Sequence, residues 1–134
     1  MNNRYLYQQI LSDLEEKMVF VAGPRQVGKT TLAKSILAGN GPGYLNWDIA
    51  HHREMILRQI FPDSDIWVFD EIHKFSNWCN FLKGIYDEFA LERRIMVTGS
   101  AKLDYYRRGG DSLQGRYHYL RLYPLTLSLI HISE

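Results

Sequence analysis

The chain has 134 residues, which is the length of a single domain. Apolar residues make up 46% of it and charged residues 23%, which argues against a disordered or fibrous protein. The 16 basic and 15 acidic side chains leave a net charge of +1, so no overall field attracts the chain to nucleic acid or to an anionic membrane. A single cysteine, Cys79, and the absence of a long apolar run favour a cytoplasmic protein without disulfides or a membrane span.

Short apolar runs alternate with amphipathic stretches along the chain. Leu6, Ile10 and Leu14 recur at the four-residue step of one helical face, and the apolar run after them ends at Gly23. The predicted strands cover residues 18–23, 44–47, 66–69, 95–97 and 117–122. The predicted helices cover residues 5–18, 30–38, 49–60 and 78–89, the last two capped by Asp48 and Asn77. This alternation predicts an α/β fold with a parallel sheet and helices on both faces.

A phosphate-binding loop is predicted between the first strand and the second helix. The segment GPRQVGKT at residues 23–30 matches G-x-x-x-x-G-K-[ST], a loop whose backbone amides turn inward around phosphate groups. In this arrangement Lys29 reaches the outer phosphates, and the Thr30 hydroxyl ligates the Mg²⁺ ion that bridges them. The strand before the loop and the helix after it are those that such a loop requires.

Two adjacent carboxylates, Asp70 and Glu71, follow the third predicted strand. They would lie at the carboxyl edge of the sheet, where open α/β folds bind their ligands. There Asp70 holds magnesium through water, and Glu71 polarises the attacking water of a hydrolysis reaction. A solvated acidic strand end is the alternative, and the phosphate loop favours the functional interpretation.

Several segments together resemble one family, the AAA-type ATP-binding domain of prokaryotic AAA+ ATPases. They are GPRQVGKTTL, YLNWD, FDEIHKFSNWCNFLKGIYDEF, VTGS and the terminal GRY with YPLTLS. The resemblance implies a five-stranded P-loop NTPase core whose fourth strand lies between the loop strand and the acidic strand. It also implies a nucleotide loop made of Gly23, Pro24, Arg25, Gln26, Val27, Gly28, Lys29, Thr30 and Thr31.

The resemblance assigns roles to two further side chains. Ser100, on the fourth strand, would sense the γ-phosphate, and Thr98 is the substitute for that role. Arg116 matches the position from which such ATPases supply an arginine finger to a neighbouring subunit, and Arg107 and Arg108 are the other candidates.

The family pattern continues past YPLTLS into a helical lid and a further domain. We therefore expect residues 1–127 to be an ATP-binding domain that is truncated at its C-terminus, with the lid missing. The segment SLIHISE, at 128–134, has the character of a non-native tail.

The predicted function is binding of ATP with Mg²⁺ and, in the full-length protein, ATP hydrolysis that drives a conformational change. The expected partners are further copies of the chain and an unidentified protein client. A DExH-type nucleic-acid helicase stays open, because residues 70–73 spell that box and YYRRGG at 105–110 gives weak support for nucleic-acid binding. A switch or scaffold that binds ATP without turnover is the third class.

Overall fold

The computed structural model describes residues 2–23, 28–39, 41–100, 103, 113 and 115–122. The strands of this part of the chain are β1 (Met18–Ala22), β2 (Tyr44–Asn46), β3 (Ile66–Asp70), β4 (Arg94–Gly99) and β5 (Tyr117–Arg121). Its α-helices are α1 (Asn2–Leu14), α2 (Lys29–Leu37), α3 (Ala50–Arg58) and α4 (Trp78–Phe89), with a short 3₁₀ helix at Ile72–Lys74. None of these helices has the length and apolarity needed to cross a bilayer.

The five strands form one parallel sheet in the order β2-β3-β4-β1-β5. The sequence-based expectation of a parallel five-stranded α/β fold is confirmed. The fourth strand lies between the loop strand β1 and the acidic strand β3, as the family resemblance implied. The ends of β1, β4 and β3 are therefore immediate neighbours at the carboxyl edge.

Both faces of the sheet are covered, because alternate residues of each strand enter different hydrophobic clusters. Phe20 and Phe69 pack on the face covered by α3 and α4, whereas Val21 and Val68 pack on the face covered by α1 and α2. This explains why the strands appear in the sequence as continuous apolar runs. The predicted stripe on α4 is core, and its buried members are Trp78, Phe81, Leu82 and Ile85.

The predicted cap of α3 was wrong. The helix begins at Ala50 with Ile49 at the N-cap position, and no side chain caps it. Asp48 instead has its amide bound to Asn46 Oδ1 at 2.8 Å, and its carboxylate accepts hydrogen bonds from Lys74 Nζ at 2.9 Å. Asp48 thus forms an ion pair with Lys74 of the 3₁₀ helix instead of the predicted capping interaction.

Asn77 does occupy the N-cap position of α4, but its side chain forms no capping hydrogen bond and accepts one from Asn80 Nδ2 at 3.0 Å instead. The first helix ends at Leu14 rather than at Met18, which is the first residue of β1. The predicted tail at 128–134 and the segment YYRRGG at 105–110 lie outside the described residues.

Candidate functional site

Backbone hydrogen bonds connect the carboxyl ends of three neighbouring strands. The Gly23 amide, directly after β1, donates to the Gly99 carbonyl of β4 at 3.2 Å. The Glu71 amide, directly after β3, donates to the Thr98 carbonyl at 2.9 Å. The start of the predicted phosphate loop and the predicted acidic pair are therefore held at one edge of the sheet.

The described part of the predicted phosphate loop places a positive side chain at this edge. Gly28 has φ 81°, a left-handed conformation that favours glycine, and it is the N-cap residue of α2. Lys29 is buried, and its Nζ donates to the Gly23 carbonyl at 2.6 Å, across the loop. Thr30 and Thr31 follow in the first turn of α2, both exposed. Pro24, Arg25, Gln26 and Val27 lie outside the described residues.

Asp70 is the centre of a cluster of hydroxyl groups. Its side chain is buried, and its Oδ1 accepts a hydrogen bond from Thr98 Oγ1 at 2.8 Å. Its Oδ2 accepts hydrogen bonds from Thr30 Oγ1 at 3.3 Å and from the Tyr44 hydroxyl at 2.5 Å. Donors on both oxygens satisfy the hydrogen-bonding capacity of this buried carboxylate. The contact with Thr30 joins the loop to the acidic strand over 40 positions of sequence.

Sequence reasoning missed Tyr44 as a member of this cluster. Its hydroxyl also accepts a hydrogen bond from Asn46 Nδ2 at 3.1 Å. Burial and, after it, the hydrogen bond to Asp70 raise the pKa of Tyr44 to about 12, so the phenol is a donor at neutral pH. Tyr44 and Asn46 are two positions apart on β2, which puts them on one face of the sheet. That spacing is visible in the sequence, but the pairing of β2 with β3 is not.

Glu71 has surroundings that differ from those of its neighbour. Its φ of 61° places a non-glycine residue in the left-handed region, a conformation that costs on the order of 1 kcal/mol and that clusters at functional sites. Its carboxylate lies 3.7 Å from His73 Nε2 and 3.5 Å from Lys74 Nζ. Lys74 is bound in turn to Asp48, and that hydrogen bond is the main reason for the raised pKa of Lys74.

The two candidate sensor residues have different environments. Thr98 is fully buried against Asp70, whereas Ser100 Oγ lies 3.4 Å from His73 Nε2, on the side of Glu71. Gly99 separates them, and a Cβ there would lie 2.8 Å from His73 Nδ1. The glycine thus lets His73 approach the end of β4. A γ-phosphate sensor role for Ser100 or Thr98 stays a prediction.

Comparison with known families agrees with this geometry. A family model described as an AAA domain matches residues 15–130. The chain belongs to the AAA domain family. Membership indicates nucleotide binding and is in accord with the parallel five-stranded core. A search of curated proteins returned no match.

Arg116 of this AAA domain lies away from the cluster at the carboxyl edge. It comes directly before β5, and its carbonyl accepts a hydrogen bond from the amide of Met18, the first residue of β1. It therefore belongs to the amino edge, about 16 Å from the loop at roughly 3.3 Å per strand residue. Its Nε donates to Asp87 Oδ1 at 3.0 Å, which lowers the pKa of Asp87.

The structure thus does not bring Arg116 to the phosphate loop of its own chain. Its role as an arginine finger toward a neighbouring subunit stays a prediction. Arg107 and Arg108 lie outside the described residues.

The residues of the AAA domain fit ATP and Mg²⁺ chemically. Thr30 and Asp70 present oxygen atoms, which are the ligands that Mg²⁺ prefers. The Lys29 ammonium group and the N-terminus of α2 supply the positive charge that phosphate groups require.

Proposed function

We propose that this AAA domain binds ATP with Mg²⁺ at the carboxyl edge of its sheet and hydrolyses the bond to the γ-phosphate. The observation that carries the proposal is the contact between Thr30 Oγ1 and Asp70 Oδ2 at 3.3 Å. It brings the last residue of the phosphate loop to the acidic strand, with the buried Lys29 beside it. If Asp70 were only a solvated acidic residue at the end of a strand, its side chain would be exposed to water. Instead it is buried, and it accepts hydrogen bonds from the hydroxyl groups of Thr30, Tyr44 and Thr98.

Lys29 and Thr30 of the loop and Asp70 of the acidic strand then each have one task in binding. Lys29 turns its ammonium group from the Gly23 carbonyl to the outer phosphates and neutralises part of their charge. Thr30 and Asp70 would hold the magnesium ion, Thr30 through its hydroxyl and Asp70 through water. When bound, the ion neutralises charge on the phosphates.

Glu71 is the residue that we assign to the hydrolysis step. As a general base it orients a water molecule and accepts its proton while the water oxygen attacks the γ-phosphorus and the bond to the β-phosphate breaks. Its left-handed backbone directs the carboxylate away from the Asp70 cluster toward His73 and Lys74. Hydrolysis would then drive a conformational change of the protein.

The first test compares two lysines of the same helix. Lys29→Ala should weaken binding of MgATP at least about tenfold, because charge-assisted contacts contribute roughly 1.5–3 kcal/mol. Lys34→Ala removes an equal charge from α2. Lys34 is exposed, with its Nζ 5.5 Å from the centre of the Tyr44 ring. Such a cation–π contact is worth only about 0.5–1 kcal/mol.

Isothermal titration with MgATP and with MgGTP measures these affinities. Equal losses of MgATP affinity in Lys29→Ala and Lys34→Ala would contradict the loop assignment.

Phosphate release with and without nucleic acid then separates the three functional classes. Turnover that is independent of nucleic acid supports the proposal, dependence on nucleic acid favours a helicase, and binding without release favours a switch or scaffold.

A further inference from the structure

Within the part of the chain that the structure describes, three side-chain hydroxyl groups donate to Asp70, and that of Tyr44 makes the shortest hydrogen bond, at 2.5 Å. Tyr44 belongs to β2 and Thr98 to β4, and these strands are the two neighbours of β3 in the sheet. Asp70 is therefore held from both sides, through Oδ2 by Tyr44 and through Oδ1 by Thr98. Both contacts come from strands, whereas the third donor, Thr30, belongs to the phosphate-loop helix.

The direction of the Tyr44 proton follows from its neighbours. Asn46 Oδ1 accepts the amide of Asp48 at 2.8 Å, which assigns the amide orientation of the Asn46 side chain. Its Nδ2 then donates to the Tyr44 oxygen at 3.1 Å. The Asn46 nitrogen can only donate and the Asp70 carboxylate can only accept, so the one phenol proton points to Asp70. The hydroxyl is thus organised before any ligand arrives.

Among the described residues, removing this hydroxyl would leave Oδ2 with Thr30 as its donor, at the longer distance of 3.3 Å. The carboxylate would then be held firmly only through Oδ1, and it could rotate about its Cβ–Cγ bond. Groups that orient metal-binding carboxylates in this way change metal affinity about 10- to 100-fold when they are mutated.

We propose that Tyr44 is a positioning residue, which clamps Asp70 together with Thr98 so that the carboxylate faces Thr30 before nucleotide and magnesium bind. The inference rests on the proposed function, because it assigns Asp70 to the magnesium ion. It adds that the magnesium dependence of nucleotide binding is set in part by a phenol on the edge strand β2.

The test is a magnesium titration of ATP binding with Tyr44→Phe. Tyr86→Phe is the matched control, since it removes a phenol hydroxyl from α4 that lies 3.5 Å from the Glu16 carbonyl. A fluorescent ATP analogue reports binding without turnover.

In EDTA the affinity of Tyr44→Phe should stay within about twofold of the unmodified protein, because Lys29 still binds the phosphates. The magnesium concentration at half-maximal binding should rise about tenfold in Tyr44→Phe and stay unchanged in Tyr86→Phe.

Two results would overturn the inference while leaving the proposed function standing. One is an unchanged magnesium midpoint in Tyr44→Phe, and the other is an equal loss of affinity in EDTA and in magnesium, which would indicate a purely structural effect. If the unmodified protein bound no nucleotide, the proposed function itself would fail.

A second variant protects the test against misfolding of Tyr44→Phe. Asn46→Ala keeps the phenol and removes the bond that directs its proton. Its magnesium midpoint should rise by a smaller factor than that of Tyr44→Phe. A midpoint equal to that of the unmodified protein would contradict the proposed role of the organised hydroxyl.

Discussion

Asp70 and Glu71 are adjacent in sequence but occupy different environments. Asp70 is the last residue of β3, and its buried carboxylate accepts hydrogen bonds from three hydroxyl groups. Glu71 leaves the strand with φ 61°, and its carboxylate contacts His73 and Lys74. The change of backbone conformation at one residue therefore gives two adjacent carboxylates different partners, which suits the different roles proposed for them.

This separation predicts different defects for the two amide variants. Glu71→Gln should leave ATP binding intact and reduce phosphate release about 10²- to 10⁴-fold, because an amide cannot accept the proton of the attacking water. Binding by titration and phosphate release in single turnover measure the two effects. Glu54→Gln is the control, since it removes a carboxylate from an exposed pair with Arg58 on α3. If Glu71→Gln released phosphate as fast as the unmodified protein does, the proposed role of Glu71 as general base would be contradicted.

Asp70→Asn should instead raise the magnesium concentration that nucleotide binding requires. The amide removes the negative charge next to the ion, and its NH₂ group would face at least one hydroxyl donor of the cluster. Binding in EDTA and thermal unfolding without nucleotide are measured alongside, because the variant also leaves a buried donor unpaired. A magnesium requirement equal to that of the unmodified protein would contradict the assignment of Asp70 to the ion.

At the residue scale, the sequence predicted those candidate side chains that belong to a local motif or follow a predicted strand. The loop spacing made Lys29 and Thr30 candidates, and a strand end made Asp70 and Glu71 candidates. Tyr44 has no such signature, because its role depends on which strand lies beside β3. Only the three-dimensional order of the strands brings its hydroxyl to Asp70.

At the scale of elements, the approach of β2 to β3 depends on a glycine. A Cβ at Gly43 would overlap the backbone carbonyl oxygen of Ile66 and would lie 2.7 Å from Ser64 Oγ. The Gly43 carbonyl also accepts a hydrogen bond from the Val68 amide at 2.8 Å. The chain therefore enters β2 in direct contact with β3, one residue before Tyr44.

Gly43→Ala should therefore destabilise the fold by at least about 1–3 kcal/mol, because the carbonyl that the methyl group meets belongs to the sheet. Gly84→Ala is the matched control on α4, where a Cβ meets no atom within 4 Å. It should raise the free energy of unfolding by about 0.5–1 kcal/mol, since alanine favours a helix over glycine. Urea unfolding measures the free energy of unfolding of both variants. An equal change in the two would contradict the close approach of β2 to β3 at Gly43.

The strands could be predicted from sequence because burial on both faces makes each a continuous apolar run. The helix caps could not be predicted equally well. Asp48 has a residue type that favours an N-cap, but Lys74 lies close enough to bind its carboxylate. The local preference of about 1 kcal/mol is comparable to the roughly 0.2–1 kcal/mol of such an exposed ion pair, so residue type alone does not decide between them.

At the scale of the whole molecule, the arginine that the family resemblance singles out and the phosphate loop lie at opposite edges of the sheet. Arg116 adjoins the start of β1, whereas Gly23 adjoins its end. Arg116 also forms an ion pair with Asp87 of α4 at 3.0 Å, which holds it beside that helix. One chain therefore cannot bring this arginine to its own nucleotide without rebuilding the sheet, so a catalytic role for Arg116 requires a second copy.

Complementation between two inactive variants tests this requirement. Lys29→Ala chains keep Arg116, and Arg116→Ala chains keep the phosphate loop, so mixed assemblies should recover part of the ATPase activity that each variant lacks alone. An arginine supplied by a neighbouring subunit is worth on the order of 10³–10⁵ in turnover, which makes even partial recovery measurable. Arg58→Ala is the control, because it removes an arginine paired with Glu54 on α3 and should not reduce activity. Mixtures that co-assemble in sedimentation but recover no activity would remove Arg116 from the proposed site.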